Sequence, residues 1–114
     1  METLQESFPE LLAQIAEALQ RSAHAVLAEQ LPEASVIAVT FDDSADAGYI
    51  YVRTGRQLNA VEKRVVGVRH GETICLDTKH SINLDTDNFG RLTGIELLSP
   101  PREWKSELRK RAAV

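Results

Sequence analysis

The sequence predicts an α+β fold: an N-terminal amphipathic helix packed on a small antiparallel sheet of meanders and hairpins, followed by a short C-terminal helix. Three observations carry this. Apolar residues recur at helical spacing near the start of the chain, the period drops to two from Ser35 onward, and Ser99-Pro100-Pro101 halts the sheet before a charged, helix-favouring run. With 114 residues there is room for one domain. It divides into a helical N-terminal extension (1–34), a β-rich module (35–98) and a basic C-terminal helix (99–114).

The first helix is expected to begin at Ser7-Phe8-Pro9-Glu10, which reads as a capping box, with Pro9 tolerated in a first turn whose N–H has no intrahelical partner. Phe8, Leu11, Leu12, Ile15, Leu19, Ala23, Val26 and Leu27 then share one face of a helix of about 20 residues, ended by Pro32. Val36–Phe41 and Tyr49–Arg53 read as strands joined by the Asp-rich turn 42–48. Residues 61–69, VEKRVVGVR, read as a third strand, and His70-Gly71-Glu72 turns into a fourth over Thr73–Asp77. In the C-terminal helix, Lys and Arg gather at the end that the helix dipole favours, and Trp104 and Leu108 share the anchoring face.

The clearest element is the hairpin of residues 82–98, INLDTDNFGRLTGIELL. Asp87-Asn88-Phe89-Gly90 has Asp at the first and Gly at the fourth position of a type I turn, with Gly90 taking the positive φ that restores strand pairing. Asp87, Gly90 and Gly94 are therefore structural. The register implied by this turn sets Asp85 opposite Thr93, Leu84 opposite Gly94 and Ile82 opposite Glu96, so that Gly94 makes room for a large cross-strand neighbour or an approaching element. Asp87 and Arg91 form an exposed pair beside the turn, worth little energetically.

Bulk composition narrows the function. A net charge of −4 argues against a dedicated nucleic-acid binder. The charge is uneven: residues 1–34 carry six Glu against one Arg, while 102–114 carry five Lys or Arg against two Glu, so head and tail can pair within or between chains. The single cysteine, Cys75, fits a reducing compartment. No apolar run reaches the roughly 18 residues of a membrane span, and METLQESFPE lacks the order of a signal peptide, so no membrane association and a cytoplasmic location are expected.

No constellation points to catalysis. Asp85, Asp87, Gly90 and Glu96 occupy the first, third, sixth and twelfth places of a calcium loop, but Phe89 stands where a fifth-place oxygen ligand is needed. In the expected register Asp85 and Glu96 also point to opposite sides of the sheet and could not share an ion. His70, Cys75 and His80 offer no fourth ligand for zinc and no oxyanion-stabilising motif beside the thiol. Asp42, Asp43 and Asp46 sit where turns need them. Phosphate-binding glycine loops, HExxH and GxSxG are absent from the sequence. No catalytic residue, metal or cofactor is expected.

Two blocks, Asp43-Ser44-Ala45-Asp46-Ala47-Gly48-Tyr49-Ile50-Tyr51 and Asp85-Thr86-Asp87-Asn88-Phe89-Gly90-Arg91-Leu92-Thr93-Gly94-Ile95-Glu96-Leu97-Leu98, resemble the motifs of a widespread bacterial family, domain of unknown function 2283. The resemblance covers residues 36–98. Gly48 replaces a bulky apolar residue of the family pattern, and the stretch between the blocks is longer, suggesting an extra turn or hairpin around 65–80. The resemblance implies a small β-rich fold without an assigned activity, and an antitoxin-type binding role by association with toxin-like neighbours.

The resulting expectation is a small, non-catalytic interaction module, homodimeric and binding a partner protein. Its motive is apolar residues on both faces of the strands: Ile50 and Val52 oppose Tyr49 and Tyr51, while Leu84 and Leu92 oppose Ile95 and Leu97, so the sheet needs two covers. The side chains expected to make contacts are Tyr49, Tyr51, Arg53, Trp104 and Arg109. The second reading is a small-ligand or nucleic-acid-binding domain using Tyr49, Tyr51 and the basic tail.

Overall fold

Residues 2–54 and 58–113 are described by the structure, a computed structural model. Helices α1 (Leu4–Ser7), α2 (Pro9–Gln20) and α3 (Arg102–Ala112) accompany strands β1 (Ser35–Asp42), β2 (Ala47–Arg53), β3 (His70–Cys75), β4 (Ser81–Asp87) and β5 (Leu92–Leu98). The strands form one antiparallel open sheet in the order β1-β2-β5-β4-β3. The α+β class is as expected; several of its parts differ.

The N-terminal helix is shorter and starts differently. The capping box belongs to Thr3 and Glu6: Thr3 Oγ1 accepts from the Glu6 N–H, and Glu6 Oε1 accepts from the Thr3 N–H. Ser7, expected to cap, instead donates to Glu2 Oε2 at 2.6 Å, and α2 begins on Pro9 without a side-chain cap. The helix does not run on to Pro32. Ser22 Oγ donates to the Leu19 carbonyl and accepts from the His24 N–H, which serves the groups left at the helix end. A 3-10 turn over Ala25–Glu29 then brings Leu27, Leu31 and Ala34 back into the core.

Residues 61–69 are not a strand. Glu62–Val66 form a wide helical turn closed by the Gly67 N–H on the Glu62 carbonyl. Asn59 and Glu62 cap it reciprocally, each side chain accepting from the other's backbone N–H. The β-branched run was misleading because Val61, Val66 and Val68 are exposed; no core demands them. The next strand begins at His70, where a turn was expected.

The hairpin turn itself is as read: Gly90 has φ +76°, and its N–H donates to the Asp87 carbonyl. Its register is not. Next to the turn Thr86 faces Leu92, but the next pair is Asp85 with Gly94, because Thr93 is an extra residue on β5. This bulge moves every pair beyond it by one: Leu84 faces Ile95, Asn83 faces Glu96 and Ile82 faces Leu97. The apolar residues of β4 and β5 therefore share one face rather than opposing each other. Ile50 opposes Ile95 and lies on that same face.

All the apolar alternation thus converges on one side, where Leu11, Ile15, Leu19, Trp104 and Leu108 of the helices cover Ile50, Ile82, Leu84, Ile95 and Leu97. Each such side chain contributes about 1.5–3 kcal/mol when fully buried. Helix α3 is held along β1 by Lys105 to Asp46 at 2.7 Å and Arg109 to Asp43 at 2.6 Å, and Arg111 reaches Glu2 at 2.7 Å. The opposite face of the sheet is open. None of the described helices is long and apolar enough to cross a membrane.

Candidate functional site

The open face is built around Tyr49. Period-two alternation along β2 sends Tyr49 and Tyr51 away from the core, with Tyr49 opposite Glu96 and Tyr51 opposite Gly94. The Tyr49 ring does not stand off the sheet. It lies across β5 over Gly94, where a Cβ would overlap the hydroxyl end of the phenol. From there its hydroxyl reaches the second strand away and donates to Asp85 Oδ2 at 2.5 Å. Thr73 Oγ1 on β3 donates to the other oxygen, Oδ1, at 2.6 Å, and His70 Nε2 lies 3.3 Å from that hydroxyl. A parallel pair joins Asn83 Nδ2 to Glu96 Oε1 at 3.0 Å. Four strands are thereby laced together on the outside by side chains alone.

Burial raises the Tyr49 phenol well above its usual range, and the hydrogen bond to Asp85 and that carboxylate's charge push the same way. Tyr49 is therefore a fixed donor at physiological pH, not a phenolate. The Tyr51 ring packs on Tyr49 at 4.5 Å between centroids, tilted by 51°, and is 45% exposed. Leu98, on the same face, is 40% exposed.

The residues anticipated for binding separate. Tyr49 and Tyr51 lie side by side, and Arg53 continues the same face at the end of β2. Trp104, in contrast, is buried in the helix-covered core with His80 edge-on at 5.0 Å, which corrects its expected role as a contact residue. Arg109 is held by Asp43 and lies 5.2 Å over the Phe41 ring, so it fastens α3. Gly94 does make room for a large side chain, but for Tyr49 rather than Leu84.

Asp87 is not part of an exposed pair. It is buried, with Oδ1 accepting from the Phe89 and Arg91 N–H groups and Oδ2 from Arg91 Nε at 2.7 Å. Gln30 fastens the same turn to the 3-10 turn by donating to the Gly90 carbonyl and accepting from the Leu92 N–H.

The bulge also removes the expected separation of Asp85 and Glu96, which lie on the same face of the sheet. Both oxygens of Asp85 already accept hydrogen bonds, and no group of three or more His, Cys, Asp or Glu is placed to hold a metal ion among the described residues. His70 and Cys75 lie on β3 while His80 packs on Trp104 across the sheet. Sequence reasoning missed Asp85, Thr73 and Asn83 as partners on this face, because the bulge at Thr93 that aligns them has no local signature. Comparison with family models, with curated proteins and with solved structures gave no match.

Proposed function

We propose that the chain is a non-catalytic interaction module of the family its two motifs resemble, working through the open face of the sheet as a twofold homodimer that also engages a partner protein. The observation that carries this reading is the one-sided cover: every helix packs on one face, while the other presents a rigid tyrosine pair and Leu98. Tyrosine held in one rotamer gives a broad amphipathic contact with little entropy left to lose, which suits a protein interface. Tyr49 comes from one resembling block and Asp85, Gly94 and Glu96 from the other, so the recurring positions meet on this face. An exposed, unpaired Cys75 accords with a reducing cytoplasm, and the antitoxin-like role follows from the family resemblance.

The pairing of the basic tail favours this reading over nucleic-acid binding, since Lys105, Arg109 and Arg111 are engaged by Asp46, Asp43, Glu2 and Glu107. Sedimentation velocity tests the assembly. A dimer held by burial should persist in about 1 M salt, which screens surface ion pairs, and Tyr51→Glu should dissociate it without changing the far-UV spectrum. A monomer at about 100 μM, far above the range of a specific dimer, removes the homodimer.

A further inference from the structure

The open face is polarised along its strands, with a lone cation at one end and an unmatched carboxylate toward the other. Arg53 is the one Lys or Arg in any of the five strands, and period-two alternation through Tyr49 and Tyr51 puts it on this face. Pairing of β2 with β5 stops at Tyr51, so no β5 residue is matched to Arg53. Its side chain is exposed and makes no ion pair among the described residues.

The carboxylates of Asp42, Asp85 and Glu96 share that face and are unevenly engaged. Asp85 accepts from Tyr49 and Thr73 with its two oxygens, and Asp42 accepts from Ser44 and Ala45 in the turn. Glu96 accepts from Asn83 on Oε1 alone, and no cation pairs with it among the described residues. It lies opposite Tyr49, two positions along the face from Arg53 with Tyr51 between them. That is about 13 Å of strand, more than an Arg and a Glu can bridge within one chain.

We infer that the twofold axis of the homodimer runs across the strands at Tyr51, so that Arg53 of each copy pairs with Glu96 of the other. This rests on the homodimer proposed above and adds its orientation. A twofold axis between two sheets packed face to face can run along the strands or across them. Running along β2, it would set Arg53 over the same residue of the second copy, two like charges with no carboxylate between them. Running across the strands at Tyr51, it exchanges the two ends and lays each Arg53 over the second copy's Glu96. Facing sheets stand about 10 Å apart with their strands nearly aligned, a gap that extended Arg and Glu side chains close together. Opposite charges placed this way fix orientation more than they add affinity, so the contact can still be held by burial in high salt.

Sedimentation velocity of the full chain at low ionic strength tests this with Arg53→Glu and Glu96→Arg, each alone and the two mixed. Each reversal alone should weaken the dimer about tenfold or more, because both symmetry-related pairs become like-charged. An equimolar mixture of the two variants should recover dimers as tight as wild type, since both contacts between unlike partners are again of opposite charge. Glu96→Arg separates this pairing from overall repulsion. It moves the net charge of −4 toward zero, which by itself favours association, yet weaker association is expected. If a reversal lowers the melting temperature, Arg53→Gln and Glu96→Gln take its place. Their effects on the dimer should be non-additive in the double variant, and additive losses overturn the pairing. A monomeric wild type removes the dimer and its orientation together. A dimeric wild type whose variants are unaffected, or are not rescued by mixing, leaves the dimer standing and overturns the orientation.

Discussion

The two faces of the sheet use the same device for different ends. On the covered face, Gly48 of β2 lets Leu108 of α3 settle against the strand, and an added Cβ would meet Leu108 Cδ1 at 2.8 Å. On the open face, Gly94 of β5 lets the Tyr49 ring lie flat so that its hydroxyl reaches Asp85. A missing Cβ serves packing in one case and a hydrogen bond across two strands in the other. The inner face is held by burial, the outer by directional polar contacts centred on the Tyr49 phenol. Leucine can shift within a core; a phenol aimed at one carboxylate oxygen cannot.

The largest effect should come from the covered face. Leu84 is fully buried at the centre of the core, facing Ile95. Leu84→Ala should destabilise by about 2–5 kcal/mol through lost transfer energy and the cavity left behind. Chemical denaturation measures this directly. A loss below 1 kcal/mol, less than a single buried methylene pair is worth, means the inner face is not the core.

The two glycines sharpen the contrast with one substitution each. Gly94→Ala places a methyl group on the hydroxyl end of the Tyr49 phenol, so the ring must leave or the strand must move, costing about 1–3 kcal/mol. Gly48→Ala is crowded by the flexible end of Leu108, with Phe41 Cδ1 at an ordinary 3.4 Å, and should cost less than about 1 kcal/mol. Equal melting shifts for the two variants contradict the rigid placement of Tyr49. In Tyr49→Ala the penalty at Gly94 should largely vanish, a coupling that a double-mutant cycle reads.

Asp87 holds the hairpin turn together through Phe89 and Arg91. Burial pushes its carboxyl up, but the hydrogen bonds from the Arg91 backbone, the Arg91 guanidinium and the Phe89 N–H outweigh that and hold it below the ordinary Asp range. A lowered folded value contributes stability above the unfolded pKa of about 3.9, and that stability is lost as pH falls through the folded value. Asp87→Asn should therefore cost about 1–2 kcal/mol near neutrality and flatten the acid limb of the stability profile below about pH 4. An unchanged acid limb means the turn does not depend on the charge.

What was legible in the sequence follows the same division. Strands β1 and β2 and the Asp87–Gly90 turn could be read because alternation and turn chemistry are local. The outer network could not, because it depends on Thr93 being an extra residue on β5, and a bulge changes facing without changing composition. Residues 61–69 were misread because β-branched content outweighed a capping pair, Asn59 and Glu62, that was present in the sequence. The same pattern at Thr3 and Glu6 competed with Ser7 and Glu10, and only the contact of Ser7 with Glu2 separates them. The reason for a dimer changes with the register. Apolar residues on both faces no longer motivate it; the uncovered tyrosines do.

Among the contacts removed, the smallest effect expected is that of the Tyr49 hydroxyl itself. Tyr49→Phe keeps the ring over Gly94 and removes one donor to Asp85, whose other oxygen retains Thr73. Both side chains are partly open to solvent, so water can replace the lost donor, and the cost near neutral pH should be only about 0.5–1.5 kcal/mol. The alkaline limb distinguishes this bond from simple ring packing. Burial first, then Asp85, raises the phenol's folded pKa above its ordinary value near 10. A raised folded value confers stability that is complete below the unfolded pKa and is lost as pH rises from there through the folded value, because the unfolded chain ionises first. Wild-type stability should therefore decline more steeply above about pH 10 than that of Tyr49→Phe, and the two curves should converge. Parallel alkaline limbs would leave Tyr49 as a packed ring whose hydroxyl is matched equally well by water.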